Sequence, residues 1–108
     1  MSLIRKWFEK ALSFLGYKSS TSFRKIEVEY FPEQLEKGKV YVEGDWSASF
    51  ICPCGCSELI ELNLIDDVRP VWEIKGGSLP TIKPSVWKKE GCKSHFFVTN
   101  GKVVWCQA

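Results

Sequence analysis

The chain has 108 residues, of which 44% are hydrophobic and 26% charged, a composition typical of a folded globular domain rather than of a disordered segment. This length accommodates one small domain, and no run of about 18 apolar residues offers a membrane-spanning helix. The formal net charge of +2 is too small to indicate nucleic-acid binding by itself.

Residues 2–16 have the hydrophobic period of one amphipathic helix. Its apolar side chains recur at spacings of three and four: Leu3, Ile4, Trp7, Phe8, Ala11, Leu12 and Leu15. We expect this helix to pack on the domain, since a chain of this size needs the apolar area, and docking on a partner or on a membrane surface is the alternative. A short polar linker follows, which divides the chain into a helix with its linker, 1–22, and a second part, 23–108.

From residue 23 onward the hydrophobic period changes to two, which predicts β-strands. Six to eight short strands are drawn from residues 23–30, 40–42, 46–52, 58–64, 71–74, 79–82, 94–98 and 102–106. The prolines stand at the expected strand breaks: Pro32, Pro53, Pro70, Pro80 and Pro84. The predicted fold class is therefore mainly β (α+β), a small metal-stapled β-sandwich or barrel-like domain with one N-terminal helix.

The dipeptide Asn100-Gly101 predicts a two-residue β-hairpin turn of type I′. Such a turn pairs Thr99 with Lys102 and, continuing along the strands, places His95 opposite Cys106. Directly opposed side chains share one face of a sheet, so Cys106 becomes a neighbour of the single histidine.

The five cysteines favour a metal site over disulfides. No secretory signal is visible, so we expect a cytoplasmic protein whose thiols are reduced, and an odd number of cysteines also fits poorly with complete pairing.

Two motifs carry the candidate ligands. Cys52-Pro53-Cys54-Gly55-Cys56 lies between two predicted strands, and its proline and glycine allow a tight turn that aims several sulfurs inward. The second motif, Gly91-Cys92-Lys93-Ser94-His95, has a chelating spacing. A tetrahedral zinc site of three cysteines and one histidine can be built from two of the turn cysteines with Cys92 and His95. With Cys106, the sequence offers six candidates for about four positions.

Sulfur-rich ligation favours one structural zinc ion that joins two distant loops. We therefore expect a binding module, and a metal- or thiol-dependent enzyme at the same Cys/His site is the alternative. Neither the zinc-deaminase signature nor the two histidines of a Rieske centre occur. A basic cluster near Trp87 makes nucleic acid a further, less favoured partner: Lys88, Lys89, Lys93 and Lys102.

Residues 30–106 resemble a bacterial family of small cysteine-rich domains of unknown function. The resemblance rests on the CPCGC turn, on Pro84-Ser85-Val86-Trp87, on Gly91-Cys92-Lys93-Ser94-His95-Phe96 and on Trp105-Cys106. Members of that family are often encoded beside ubiquitin-like activation and conjugation enzymes and a deubiquitinase-type peptidase.

The resemblance implies a metal-binding accessory or adaptor protein of a ubiquitin-like modification or defence system, with protein partners from that pathway. It also implies the metal ligands Cys52, Cys56, Cys92 and His95, with Cys54 and Cys106 in reserve, because the outer two cysteines of the turn are the more regular ones in that family. The pattern usually has glycine after the third cysteine, where this chain has Ser57.

Overall fold

A computed structural model describes residues 22–106, and the helix predicted over 2–16 lies outside them. Within this part the fold is all β, with eight strands that follow the predicted order. Their bounds are β1 Arg24–Val28, β2 Lys39–Glu43, β3 Ser47–Ile51, β4 Leu59–Asn63, β5 Glu73–Lys75, β6 Thr81–Trp87, β7 His95–Thr99 and β8 Lys102–Trp105. No helix long and apolar enough to cross a bilayer occurs among the described residues.

The strands form two four-stranded sheets in sequence order, β1-β2-β3-β4 and β5-β6-β7-β8. Only the β1–β2 pair is parallel, and the other pairs are antiparallel. The two sheets are also linked through their loops, because the Trp72 amide donates to the Asn63 carbonyl at 2.8 Å and the Phe23 amide donates to the Gly101 carbonyl. The predicted mainly β class is confirmed.

The core lies between the two sheets and is built on edge-to-face aromatic contacts. Phe50 of β3 lies 5.0 Å from Phe23 and 6.2 Å from Phe96 of β7, measured between ring centroids. All three rings are almost fully buried, as are Leu62, Ile82, Val40 and Val98. Burial of a large apolar side chain contributes about 1.5–3 kcal/mol, so these inward positions hold the sheets together.

The hairpin of β7 and β8 forms as the sequence predicts. Asn100 has φ 48° and Gly101 has φ 79°, the two positive values that a type I′ turn requires. Thr99 pairs with Lys102 and Phe96 with Trp105, and the Cys106 amide donates to the His95 carbonyl at 2.9 Å.

Strand β6 differs from its prediction, which ended it before Pro84. The strand runs through that proline to Trp87, because its register shifts between the pairs Ile82–Val98 and Val86–Phe96. Three residues of β6, 83–85, therefore face one residue of β7. A proline is tolerated within a strand at such a bulge, where its missing N–H leaves no ladder partner unpaired.

Candidate functional site

Four cysteines converge where two loops meet at one end of the domain. Cys52, Cys54 and Cys56 come from the loop between β3 and β4, and Cys92 comes from the loop between β6 and β7. Their sulfurs all lie within 4.8 Å of one another. Gly55 has φ 99°, so the first loop curls as its glycine allows.

The spacing of these sulfurs fits a tetrahedral metal ion. Zn–S bonds of about 2.3 Å place the sulfurs of a tetrahedral site about 3.8 Å apart. Cys52 Sγ lies 3.4 Å from Cys54 Sγ and 3.7 Å from Cys92 Sγ. The donor set can therefore hold a soft or borderline cation with little rearrangement.

Hydrogen bonds prepare part of the cluster for the thiolate form. The amide of Cys56 lies 3.4 Å from Cys54 Sγ, and the buried Ser94 hydroxyl lies 3.2 Å from Cys92 Sγ. Burial raises the pKa of Cys54, but hydrogen bonds from Ser94 and from the Cys56 amide outweigh it and lower this pKa to about 6. In contrast, burial raises the pKa of Cys52 to about 12.

Polar contacts outside the cluster also join the two loops. Lys88 forms an ion pair with Glu58, and the amide of Lys88 donates to the Ser94 carbonyl at 2.8 Å. Gly91 has φ 70°, and a side chain there would meet the Glu58 carboxylate. Residues 88–94 therefore pack closely against the loop between β3 and β4.

A second constellation lies on the outer face of the second sheet. His95 is the only histidine of the chain, and its Nε2 lies 2.9 Å from the hydroxyl oxygen of Ser85. Both side chains are half-buried, so a solute can reach them. A serine hydroxyl bonded to an imidazole nitrogen is the arrangement that activates serine as a nucleophile.

Packing fixes the geometry of this pair. The Trp87 ring stacks on the His95 ring, with centroids 4.9 Å apart and an angle of 18° between the planes. On the serine side, the Trp72 indole Nε1 donates to the Ser85 carbonyl at 3.2 Å. Ser85 and Trp87 stand two residues apart in β6 and therefore lie on the same face of the sheet. Within residues 22–106, no carboxylate is hydrogen-bonded to His95.

The structure divides the predicted ligands between two places. Cys52, Cys56 and Cys92 are brought together, but the fourth sulfur beside them is Cys54, whose role was expected to be a reserve. His95 lies outside the group of mutually close ligand atoms, as does Cys106.

Ser85 is not among the candidate residues that the sequence predicts. The solitary histidine and the Pro84-Ser85-Val86-Trp87 block were visible signals. The proximity of Ser85 to His95 depends on which residues of β6 and β7 pair, and the hydrophobic period does not encode that pairing.

The structure thus defines a small two-sheet β domain with a four-cysteine cluster on its loops and a serine–histidine pair on one sheet face. A family model described as bacterial ubiquitination-like system serine protease (BubE) matches residues 27–106. Because this match covers well over half of the sequence, the chain belongs to that family. No curated protein and no solved structure gives a significant match. The link to bacterial ubiquitin-like systems is confirmed, and the description of the family names a serine protease, which the sequence resemblance did not include.

Ser57 is expected to be a strained position. It has φ 65°, in the left-handed region that favours glycine, at the place where the resembling family has glycine. We expect Ser57→Gly to raise the free energy of unfolding by about 0.5 kcal/mol, because the relieved strain of about 1–2 kcal/mol exceeds the entropic cost of glycine. Urea denaturation measures the change. Gly55→Ala is the matched control and should lower the free energy of unfolding. Alanine is strained at the φ of 99° found there, although its Cβ would meet no neighbour. A loss of stability in Ser57→Gly contradicts the argument.

Proposed function

We propose that this protein is a cytoplasmic serine protease of a bacterial ubiquitin-like modification system, with Ser85 as nucleophile, His95 as general base and a structural metal ion in the cysteine cluster. The observation that carries the proposal is the 2.9 Å contact between Ser85 Oγ and His95 Nε2. The family description supports it, because a serine–histidine mechanism in this chain has one histidine to use.

The chemistry is acyl transfer in two steps. Ser85 Oγ attacks the carbonyl carbon of the scissile amide while His95 Nε2 takes the hydroxyl proton. The imidazolium then gives this proton to the departing amine, which leaves an ester on Ser85. Water attacks that ester with His95 again accepting a proton, and the carboxylic acid is released as Ser85 regains its hydrogen.

The tautomer that supports this role carries its proton on Nδ1, which leaves Nε2 free to accept from Ser85. Stacking on Trp87 supplies the orientation that a third polar group often provides in such sites. The backbone bond from the Cys106 amide to the His95 carbonyl anchors the same residue in β7.

In this proposal zinc is held by Cys52, Cys54, Cys56 and Cys92, and Cys54 takes the place that sequence reasoning gave to His95. Four thiolates make zinc a weak Lewis acid, so its contribution is structural. Cys92 stands three residues before His95 in the loop that joins β6 to β7. A metal ion bound to Cys92 therefore restrains the loop that connects β6, which carries Ser85, to β7, which carries His95.

The second candidate function is the non-enzymatic adaptor expected from the sequence. The exposed Trp87 supports this function, because Lys89 Nζ lies 5.3 Å from the centroid of its ring. Together the two side chains present a cationic aromatic surface to a protein partner. An adaptor needs no activated hydroxyl, so the reactivity of Ser85 separates the two functions.

A fluorophosphonate probe tests this reactivity directly. The serine oxygen displaces fluoride from phosphorus, and the hydroxyl proton leaves as the base accepts it. We expect peptide mass spectrometry to find the phosphonyl group on Ser85, and we expect His95→Gln to abolish the labelling. Ser78, an exposed serine elsewhere on the domain, is the internal control and should stay unmodified. Labelling of no serine at all would favour the adaptor.

A further inference from the structure

We propose that the cavity beside the serine–histidine pair is a subsite that receives a large apolar side chain of an extended polypeptide substrate. This inference rests on the proposed protease function and specifies what that site recognises. The cavity has a volume of about 550 Å³, within the range of ligand pockets in proteins.

The cavity is lined by residues next to the serine–histidine pair in the sequence or in contact with it. Pro84, which lines it, directly precedes Ser85, and Trp72, which also lines it, holds the Ser85 carbonyl through its indole N–H. Phe97 lines the cavity two residues after His95 in β7, and both side chains point to the outer face.

The distances suit an extended peptide. Two residues of a strand span about 7 Å, so Phe97 lies about that far from His95 along β7 and Thr99 about twice as far. Side chains on one face of an extended substrate recur at the same interval. A side chain that enters the cavity therefore lies within about two to three residues of the cleaved bond.

Most of the surface that lines the cavity is apolar. Val71, Trp72, Pro84 and Phe97 supply apolar surface, and Phe97 remains 42% exposed. Of the carboxylates at the cavity, that of Glu73 forms an ion pair with Lys75 at 3.0 Å. Asp66 and Lys83, which also line the cavity, carry opposite charges, so the lining favours neither sign of charge. A large apolar side chain gains most by leaving water.

One wall of the cavity is held in place before any substrate binds. The Asn63 side-chain amide donates to the carbonyls of Ile65, Val68 and Pro70 at 3.0–3.1 Å, and its oxygen accepts from the Ile65 amide. These bonds shape the loop that carries Val71 and Trp72 to the cavity. A pre-formed wall reduces the entropy lost on binding, as a specificity site requires.

Filling the cavity tests the proposal. Thr99→Trp adds a large ring to its lining, and Glu61→Trp adds the same ring to an exposed position of β4 in the other sheet, away from the cavity. Cleavage sites are mapped by mass spectrometry in a peptide library made from a digested bacterial proteome. Cysteine thiolates also react with p-nitrophenyl acetate, so the part of its hydrolysis rate that Ser85→Ala removes reports the serine–histidine pair. The acyl group of this ester is too small to reach the cavity.

We expect the unmodified chain to favour a large apolar residue at one fixed position near the cleaved bond. Thr99→Trp should lower kcat/KM for such peptides. This decrease should be at least about tenfold larger than the decrease in the rate of ester hydrolysis. Glu61→Trp should leave both rates unchanged. Cleavage without an apolar preference, or equal effects of the two variants, overturns the subsite. A fall in thermal stability of Thr99→Trp with an unchanged cleavage profile also overturns it, because the cavity is then an internal packing site.

A second measurement separates this inference from the protease proposal. N-acetylphenylalanine amide is titrated into the isotope-labelled Ser85→Ala chain, and amide NMR shifts are followed. Shifts at Phe97 and Thr99 that vanish in the chain carrying Thr99→Trp as well support the cavity even if no peptide or ester is cleaved. No shifts at these residues overturn it. Absence of ester hydrolysis and of fluorophosphonate labelling counts against the protease alone.

Discussion

Ser85→Ala is expected to lower kcat/KM toward p-nitrophenyl acetate and toward a cleaved library peptide by at least about 1,000-fold, because the attacking oxygen is lost. His95→Gln should cause a loss of similar size, since glutamine can hold a hydrogen bond to Ser85 but cannot take its proton. Residues that act as a unit are not additive, so the double variant should be no slower than either single one.

The control for these variants is Ser78→Ala, which removes a hydroxyl from an exposed loop residue and should leave the rate unchanged. Thermal unfolding of each variant shows that lost activity does not come from a lost fold. A Ser85→Ala variant that keeps its rate, or a double variant much slower than both single ones, would exclude the assigned pair.

The second large effect concerns the cysteine cluster. We expect the chain to bind one zinc ion, and we expect Cys54→Ser to lose most of it together with several kcal/mol of stability, because the free energy of metal binding becomes free energy of folding. Elemental analysis and thermal unfolding measure the two effects. Cys106→Ser is the matched control, since Cys106 lies outside the cluster, and it should retain both metal and stability.

His95→Gln decides between the ligand set that the sequence predicts and the set that the structure assembles. Because Nε2 of His95 contacts Ser85 rather than the cluster, we expect its substitution to leave the zinc content unchanged. Loss of zinc in His95→Gln with zinc retained in Cys54→Ser would instead favour Cys52, Cys56, Cys92 and His95 as the ligands.

We expect the metal to dissociate as the pH falls, because protons compete with it for the cysteine sulfurs. A thiol must lose its proton to bind zinc, and burial raises the pKa of Cys52 to about 12, so metal-free Cys52 holds its proton at neutral pH. Binding displaces that proton, and affinity therefore falls as pH falls. A zinc affinity that does not weaken between neutral and mildly acidic pH would contradict this account.

The hydrophobic period predicted most of the strands because buried and exposed positions alternate in strands such as β4 and β7, whereas β2 and β3 are buried at three consecutive residues. Ile60 and Leu62 of β4 are buried as their alternation indicates, and the pattern fails at Trp46, which is 65% exposed in the loop before β3. The period reports which side chains avoid water within a strand, but it does not tell where a strand begins. For that reason the strand predicted over 46–52 includes this tryptophan, although β3 begins at Ser47.

The sequence alone determined the two cysteine motifs, the hairpin at Asn100-Gly101 and the neighbourhood of His95 and Cys106, because each depends on a turn geometry that a few adjacent residues impose. Tertiary structure alone decided that Cys54 joins the sulfur cluster, while His95 bonds to Ser85. Which of several ligand atoms converge depends on how the two sheets pack, and the contact between Ser85 and His95 depends on how β6 pairs with β7. These are long-range features that arise from the whole core, and no local spacing encodes them.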